Sequence, residues 1–194
     1  MSISAEPAAE HRSIASTFAD RVRGAAPKAW DDPAPVPGWT ARDVVRHLLD
    51  WFPAFLAAGA DLHLPPGPSV DDDPVAAWEH HARAVQEILD DPATPGRTFA
   101  HPMLPETPLD LAISRFYTND VFMHTWDLAR ATGQDERLDE DRCRALYEGM
   151  VPLDDVLRQS GQYGPKVPVP DDADAQTRLL AFIGRTPGST TPRS

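Results

Sequence analysis

The chain has 194 residues, 41% of them hydrophobic, with 18 basic and 30 acidic residues and a formal net charge of −12. A chain of this length can bury one substantial core, so we expect a single domain over residues 1–194. The acidic excess repels phosphate backbones and anionic lipid head groups, which argues against nucleic acid or a membrane surface as a partner.

The sequence lacks the segments that would carry a protein into or across a membrane. Residues 1–13 contain charges where a signal peptide needs an apolar run. No later stretch reaches the roughly 18 consecutive apolar residues of a membrane-spanning helix. We therefore expect a cytoplasmic protein. Its one cysteine, Cys143, can form no internal disulfide, so any metal ion would be held by histidine and carboxylate side chains.

The spacing of apolar residues predicts a mainly helical chain from its first segment onward. A first helix is expected over residues 7–24, where Ile14, Phe18 and Val22 recur at four-residue steps and form one apolar stripe. Residues 33–38 contain three prolines, which lack the backbone donor that a regular helix needs. This segment is therefore predicted to be a loop.

The second helix has the clearest start signal in the sequence. The hydroxyl of Thr40 can accept a hydrogen bond from the amide of Asp43, and the Asp43 carboxylate can accept one from the amide of Thr40. This capping box predicts a helix that starts at Thr40 and runs to about residue 58. Pro53 is expected to kink that helix or to end its regular part.

The rest of the chain is predicted to alternate between helices and proline-rich connections. Residues 90–108 contain five prolines and are expected to form a long connection, with extended structure near 98–100. Such a crossover fits a bundle that is not simply up and down. Further helices are predicted over 71–89, 108–132, 139–159 with a break at Pro152, and 174–183.

Three side chains are candidates for binding one divalent metal ion. Asp120 and His124 lie four residues apart on a predicted helix and so project from the same face, and His47 on the second helix would complete the set. Two imidazoles and one carboxylate leave a position open for water or substrate, which is typical of catalytic zinc sites. On spacing alone, a buried hydrogen-bonded histidine and a solvated helix face are the more frequent explanations.

Neighbouring acidic residues allow two further interpretations. Asp127 lies three residues after His124, where it could hold the imidazole ring or a bound water, or it could simply pair with Arg130. In addition, Asp43, His47 and Asp50 repeat the spacing of Asp120, His124 and Asp127. A site that holds two metal ions is therefore an alternative. We rank the second ion lower because Asp43 already caps a helix.

Two motifs resemble the signatures of a known superfamily. PGWTARDVVRHLLDW at 37–51 resembles the first signature of the DinB-like metalloproteins, in which Trp, a Ser or Thr cap and an acidic residue precede the ligand histidine. DVFMHTWDLARATG at 120–133 resembles the second signature of one branch, the proteins grouped with the metal-binding domain of mycothiol-dependent maleylpyruvate isomerase. The segment DADAQTRLLAFIGRTPG at 172–188 is similar to the C-terminal end of that branch.

The resemblance implies both a fold and a set of ligands. The expected fold is an all-α, DinB-like four-helix bundle with extra short helices and a long crossover loop. The implied ligands of a single ion are His47, Asp120 and His124, with Asp127 behind them. The isomerase is associated with glutamate at the position of Asp120, so the shorter side chain here would shift the ion.

The resemblance also suggests a chemistry without naming a substrate. We expect zinc, with nickel or another divalent ion as the alternative, and mycothiol as cosubstrate of a metal-dependent thiol transferase or isomerase. The expected partners are a small-molecule thiol and an electrophilic substrate. A homodimer is possible on the sequence. No catalytic acid or base is identified. A metal-dependent hydrolase and a non-catalytic metal-binding or sensing module are the alternatives.

Overall fold

The computed structural model describes residues 6–102 and 104–188 and is mainly helical, which confirms the all-α prediction. The chain divides into two compact units, an N-terminal unit up to Glu136 and a C-terminal unit from Arg137 onward. The single domain over residues 1–194 stays a prediction. No helix in the described ranges is long and apolar enough to cross a membrane.

The N-terminal unit is a bundle of four main helical segments. Helix α1 packs against α3 and α5, and α2 packs against the same two. The fourth segment runs without interruption from α4 through a π-helical stretch into α5, as the long periodic pattern predicts. The segments are α1 (Pro7–Gly24), α2 (Ala41–Ala60), α3 (Pro74–Asp90), α4 (Leu109–Ala112), the π-helix (Ile113–Thr118) and α5 (Asn119–Thr132).

Helix α2 begins as the sequence predicts and ends later. Thr40 is its N-cap, and both hydrogen bonds of the capping box with Asp43 are present. Pro53 does not end the helix, which continues to Ala60 and is followed by Asp61 in the left-handed conformation with φ of 51°. Of the two expected effects of Pro53, an end of the regular part is wrong and a kink stays a prediction. The helix continues because a proline ring removes only one intrahelical hydrogen bond and the buried side chains of Phe52 and Leu56 hold the helix in the core.

Helix α3 begins later than the acidic pattern predicts. Asp73 is the N-cap, and its carboxylate accepts hydrogen bonds from the amides of Val75 and Ala76. Pro74 takes the first helical position, where its missing amide costs no hydrogen bond. Residues 71–72 therefore form a turn outside the helix rather than its opening turn.

Short elements connect the helices of the N-terminal unit. The crossover contains two short antiparallel strands, β1 (Thr98–Phe99) and β2 (Thr107–Pro108), with Thr98 opposite Pro108. The predicted extended structure near 98–100 is thus present. Two 3₁₀ turns complete the connections, at Pro27–Asp31 and Thr94–Gly96.

The C-terminal unit consists of short helices. Helix α6 (Glu140–Met150) is followed by a 3₁₀ turn (Val151–Leu153) and α7 (Asp154–Gln159), so the predicted break at Pro152 is confirmed. Helix α8 (Ala175–Phe182) is capped by Asp174, which accepts from the amide of Thr177, and packs against α6.

Candidate metal centre

The three predicted ligands lie together between α2 and α5 of the N-terminal unit. His47, Asp120 and His124 each place one ligand atom within 4.8 Å of the others. Asp120 Oδ2 is 3.2 Å from His47 Nε2, and Asp120 Oδ1 is 3.5 Å from His124 Nε2. We call these three residues the metal centre; their role as ligands stays a prediction.

The packing of α2 determines where His47 lies. Val44 and Leu48, the residues three before it and one after it, are fully buried and fix the rotation of the helix against the rest of the bundle. His47 lies at the margin of this buried face, with 32% of its side chain exposed. Its imidazole therefore lies against α5 and remains open to a ligand.

Asp120 is the acidic member of the metal centre and accepts hydrogen bonds from the opposite helix. Trp51 Nε1 donates to Asp120 Oδ2 at 3.0 Å, and His47 Nε2 is 3.2 Å from the same oxygen. Burial by itself raises the pKa of the Asp120 carboxyl, but nearby His124 and the hydrogen bonds from His47 and Trp51 outweigh it and hold that pKa below its usual value. The carboxylate is thus ionised at neutral pH and ready to bind a cation.

Asp127 lies behind His124, where the sequence allowed it to hold the ring. Its Oδ2 is 2.9 Å from His124 Nδ1, and its side chain is fully buried. An ionised carboxylate only accepts hydrogen bonds, so Nδ1 donates and Nε2 keeps the lone pair that a metal ion needs. The alternative partner in the sequence, Arg130, makes an ion pair with Glu136 at 2.6 Å.

Two tryptophans form an aromatic wall around the metal centre, and the sequence reasoning assigned neither of them to it. The ring of Trp39 is 4.9 Å from that of His47 and stacks on His124 at 5.8 Å. Trp51 lies 6.2 Å from His47. A signal for Trp51 was its position four residues after His47, on the same helical face.

The alternative second ion gains no support from the described part of the chain. Asp43 caps α2 and also pairs with Arg46, and Asp50 is exposed. Within the described residues, the cluster of three or more metal-binding side chains is that of the metal centre, and neither aspartate belongs to it.

A helical bundle with two histidines and a carboxylate facing each other across two helices is the arrangement of a DinB-like protein. The chain belongs to the family of the mycothiol maleylpyruvate isomerase N-terminal domain, whose model matches residues 11–129. This confirms the branch that the two sequence motifs indicate, and the match includes all three residues of the metal centre.

Full-length relatives extend the similarity beyond that domain. Two proteins of Mycobacterium tuberculosis, one from strain CDC 1551 / Oshkosh and one from strain ATCC 25618 / H37Rv, are each 29% identical to this chain over 183 residues. The alignments cover 93% of this chain and 98% of each relative, and both relatives are named as uncharacterized. No solved structure matches the chain.

Proposed function

We propose that this protein is a metal-dependent thiol transferase or isomerase that holds a divalent ion, zinc in the first instance, at its metal centre and uses mycothiol as cosubstrate. The observation that carries the proposal is the convergence of two imidazoles and one carboxylate within 4.8 Å. The family, which is named for a mycothiol-dependent isomerase, supports the choice of thiol.

The distances within the metal centre fit zinc. Ligand atoms about 2.0–2.1 Å from a tetrahedral zinc ion lie about 3.3 Å from one another. In the structure, Asp120 Oδ2 is 3.2 Å from His47 Nε2, and Asp120 Oδ1 is 3.5 Å from His124 Nε2. These separations involve different oxygens of Asp120, and all three ligand atoms lie within 4.8 Å of one another. The donors therefore draw together by up to about 1.5 Å to bind an ion of this size.

The surrounding side chains prepare these donors. Asp127 fixes the His124 tautomer that exposes Nε2, and Trp51 orients the Asp120 carboxylate by donating to it. Trp39 covers both imidazoles from one side and limits the access of water there. Three protein ligands leave room for one exogenous group, which is typical of catalytic rather than structural zinc sites.

The proposed chemistry assigns a role to the open position. When bound, the ion lowers the pKa of a thiol that binds beside it and raises the thiolate fraction at neutral pH. His47 and His124 are neutral donors and Asp120 contributes one negative charge, so the metal centre leaves a divalent ion with a net positive charge that attracts a thiolate. His47, Asp120 and His124 would thus hold the ion whose positive charge stabilises the thiolate for attack on an electrophilic substrate.

Titration calorimetry of mycothiol into the zinc-loaded protein tests the proposal. Performed in two buffers of different ionisation enthalpy, it measures proton release directly. We expect binding with release of a proton, and weaker binding as the pH falls, because protons compete for both the sulfur and the imidazoles. Binding that is absent, or that is identical in the metal-free protein, would overturn the thiol role and leave a metal-binding module.

Asp120→Asn is the informative variant in this experiment. It removes the one negative charge among the three donors, so metal affinity should fall while the remaining zinc-loaded fraction releases the thiol proton at lower pH. Asp50→Asn, an exposed change on α2, is the matched control and should behave as wild type. An unchanged pH dependence in Asp120→Asn would show that the thiol does not bind at this centre.

A further inference from the structure

A second polar cluster lies in the core of the N-terminal unit. Its members come from α1, from α3 and from the π-helix, and each is more than nine-tenths buried. We call it the core cluster, and it consists of His11, Trp78, His81 and Tyr117.

Each member of the core cluster has a polar atom whose hydrogen-bonding capacity is not met. These atoms are buried and have no partner among the described residues. Buried polar groups in folded proteins nearly always bond to protein or to ordered water, so four in one place need an explanation. The atoms are His11 Nε2, Trp78 Nε1, His81 Nε2 and the Tyr117 hydroxyl.

Tyr117 lies at the centre of this arrangement. Its ring centroid is 5.7 Å from that of His11 and 5.6 Å from that of His81, and the ring of His81 is 6.4 Å from that of Trp78. Phe52 stacks on Tyr117 at 3.9 Å and closes one side with an apolar surface. The four side chains therefore form one contiguous group, with Tyr117 between the two histidines and Trp78 against His81.

The backbone at Tyr117 is unusual in the same place. Residues Ile113–Thr118 form a π-helix between two regular α-helical stretches. Such a segment is wider than an α-helix, and it occurs frequently at functional sites. His11 Nδ1 lies 2.9 Å from the hydroxyl of Thr118, which ties α1 to the end of this segment. The wider turn thus brings Tyr117 into a polar environment.

The groups of the core cluster are uncharged at neutral pH. Burial lowers the pKa of His11 to about 3 and that of His81 to about 4, and burial raises the pKa of Tyr117 well above its usual value. The nearest charges act from outside the cluster, that of Asp120 on Tyr117 and those of Arg12 and Asp90 on His11. Because Trp78 only donates hydrogen bonds while Tyr117 both donates and accepts, a matching ligand must be neutral and able to do both.

The core cluster also has a connection to the surface. His81 lines a cavity of about 510 Å³ between α2, α3 and the proline-rich loop 64–70. The other polar side chains that line this cavity are Arg46, Asp50, Ser69, Asp71 and His80. His81 therefore contacts both this cavity and the ring of Tyr117.

We propose that the core cluster is an internal hydration site that binds one or two water molecules and exchanges them with solvent through the cavity beside His81. A buried water typically makes about three hydrogen bonds to groups that are otherwise unsatisfied, which the four polar atoms supply. Trp51, whose ring is 5.9 Å from that of Tyr117, lies between this site and Asp120. The proposal does not depend on the proposed thiol chemistry.

The test combines crystallography with a count of internal waters in solution. A high-resolution structure of the full chain should show ordered water at roughly 2.7–3.2 Å from at least two of the four atoms. Magnetic relaxation dispersion of water oxygen should then count fewer long-lived waters, by at least one per chain, in Tyr117→Phe than in wild type. That variant keeps the aromatic ring and removes only the hydroxyl.

Phe18→Leu is the matched control, because Phe18 packs against Trp78 at 4.4 Å but has no polar atom. It should leave the water count unchanged. A dry core cluster in the crystal, with its polar atoms bonded to one another, would overturn the proposal. The absence of any long-lived internal water in the wild-type protein would also overturn it. That result does not depend on whether a variant folds.

Discussion

Asp127 and His124 are joined in the core, with Asp127 Oδ2 2.9 Å from His124 Nδ1, while Nε2 of the same imidazole faces Asp120. The buried carboxylate therefore acts on the metal centre through the orientation and basicity of one ligand. Partners of this kind typically change metal affinity by 10–100-fold when they are replaced.

Asp127→Asn should consequently weaken zinc binding by about 10–100-fold without changing its stoichiometry. The amide has nearly the same shape, but it lacks the negative charge that stabilises the Nδ1 proton of His124. Competition with a chromophoric chelator measures the affinity. Asp50→Asn controls for the loss of one negative charge elsewhere, and equal affinities in the two variants would contradict the role of Asp127.

The metal centre should bind one divalent ion per chain. His47→Ala and His124→Ala should each abolish binding, because a site with three protein ligands has no spare donor. His63→Ala, at an exposed histidine, should keep the full ion content. Elemental analysis of protein purified without chelator gives the stoichiometry, and two ions per chain would revive the interpretation that includes Asp43 and Asp50.

The cap of α2 should contribute to stability independently of the metal. The Thr40 hydroxyl accepts from the Asp43 amide at 3.3 Å, and Asp43 accepts from the Thr40 amide at 2.9 Å. Thr40→Ala should lower the free energy of unfolding by about 1 kcal/mol, measured in denaturant melts, with an unchanged metal content. Thr40→Ser retains the hydroxyl and should restore most of the loss; an unaltered midpoint in Thr40→Ala would show that the cap is redundant.

Local signals explain which parts of the fold could be predicted. The capping box at Thr40 lies within four residues, and the break at Pro152 needs only the chemistry of proline. The π-helix at Ile113–Thr118 was not predicted, because its apolar spacing is that of an ordinary helix. The late start of α3 was not predicted, because any of the three consecutive aspartates at 71–73 could serve as the N-cap and the structure uses the last, Asp73.

The residues of the two sites likewise differ in whether a local sequence pattern reveals them. Asp120 and His124 could be recognised because four-residue spacing on one helix places them together. The bond from Trp51 to Asp120 joins residues 69 positions apart, and no local pattern reveals such a contact. Likewise, His11 and His81 have no ligand-like spacing in sequence, and only the packing of α1 and α3 brings both against Tyr117.

The buried histidines of the core cluster should make stability depend on pH. In the folded chain the pKa of His11 is about 3 and that of His81 about 4, below the value of 6.5 for a free histidine. Below pH 6.5 the unfolded chain therefore binds protons that the folded chain does not, so the free energy of unfolding falls as the pH decreases toward 4. Each histidine contributes up to about 1.4 kcal/mol per pH unit.

The variant His81→Gln isolates the contribution of His81 to the pH dependence of the free energy of unfolding. Glutamine does not titrate, so the slope of unfolding free energy against pH between 6.5 and 4 should be smaller than in wild type. The difference corresponds to the uptake of up to one proton on unfolding. Metal-free protein is used for both, so that protons linked to metal binding do not enter the difference. His63→Gln, at an exposed position, should keep the wild-type slope. Identical slopes for wild type and His81→Gln in denaturant melts would mean that His81 is protonated in the folded core, and the uncharged core cluster would be wrong.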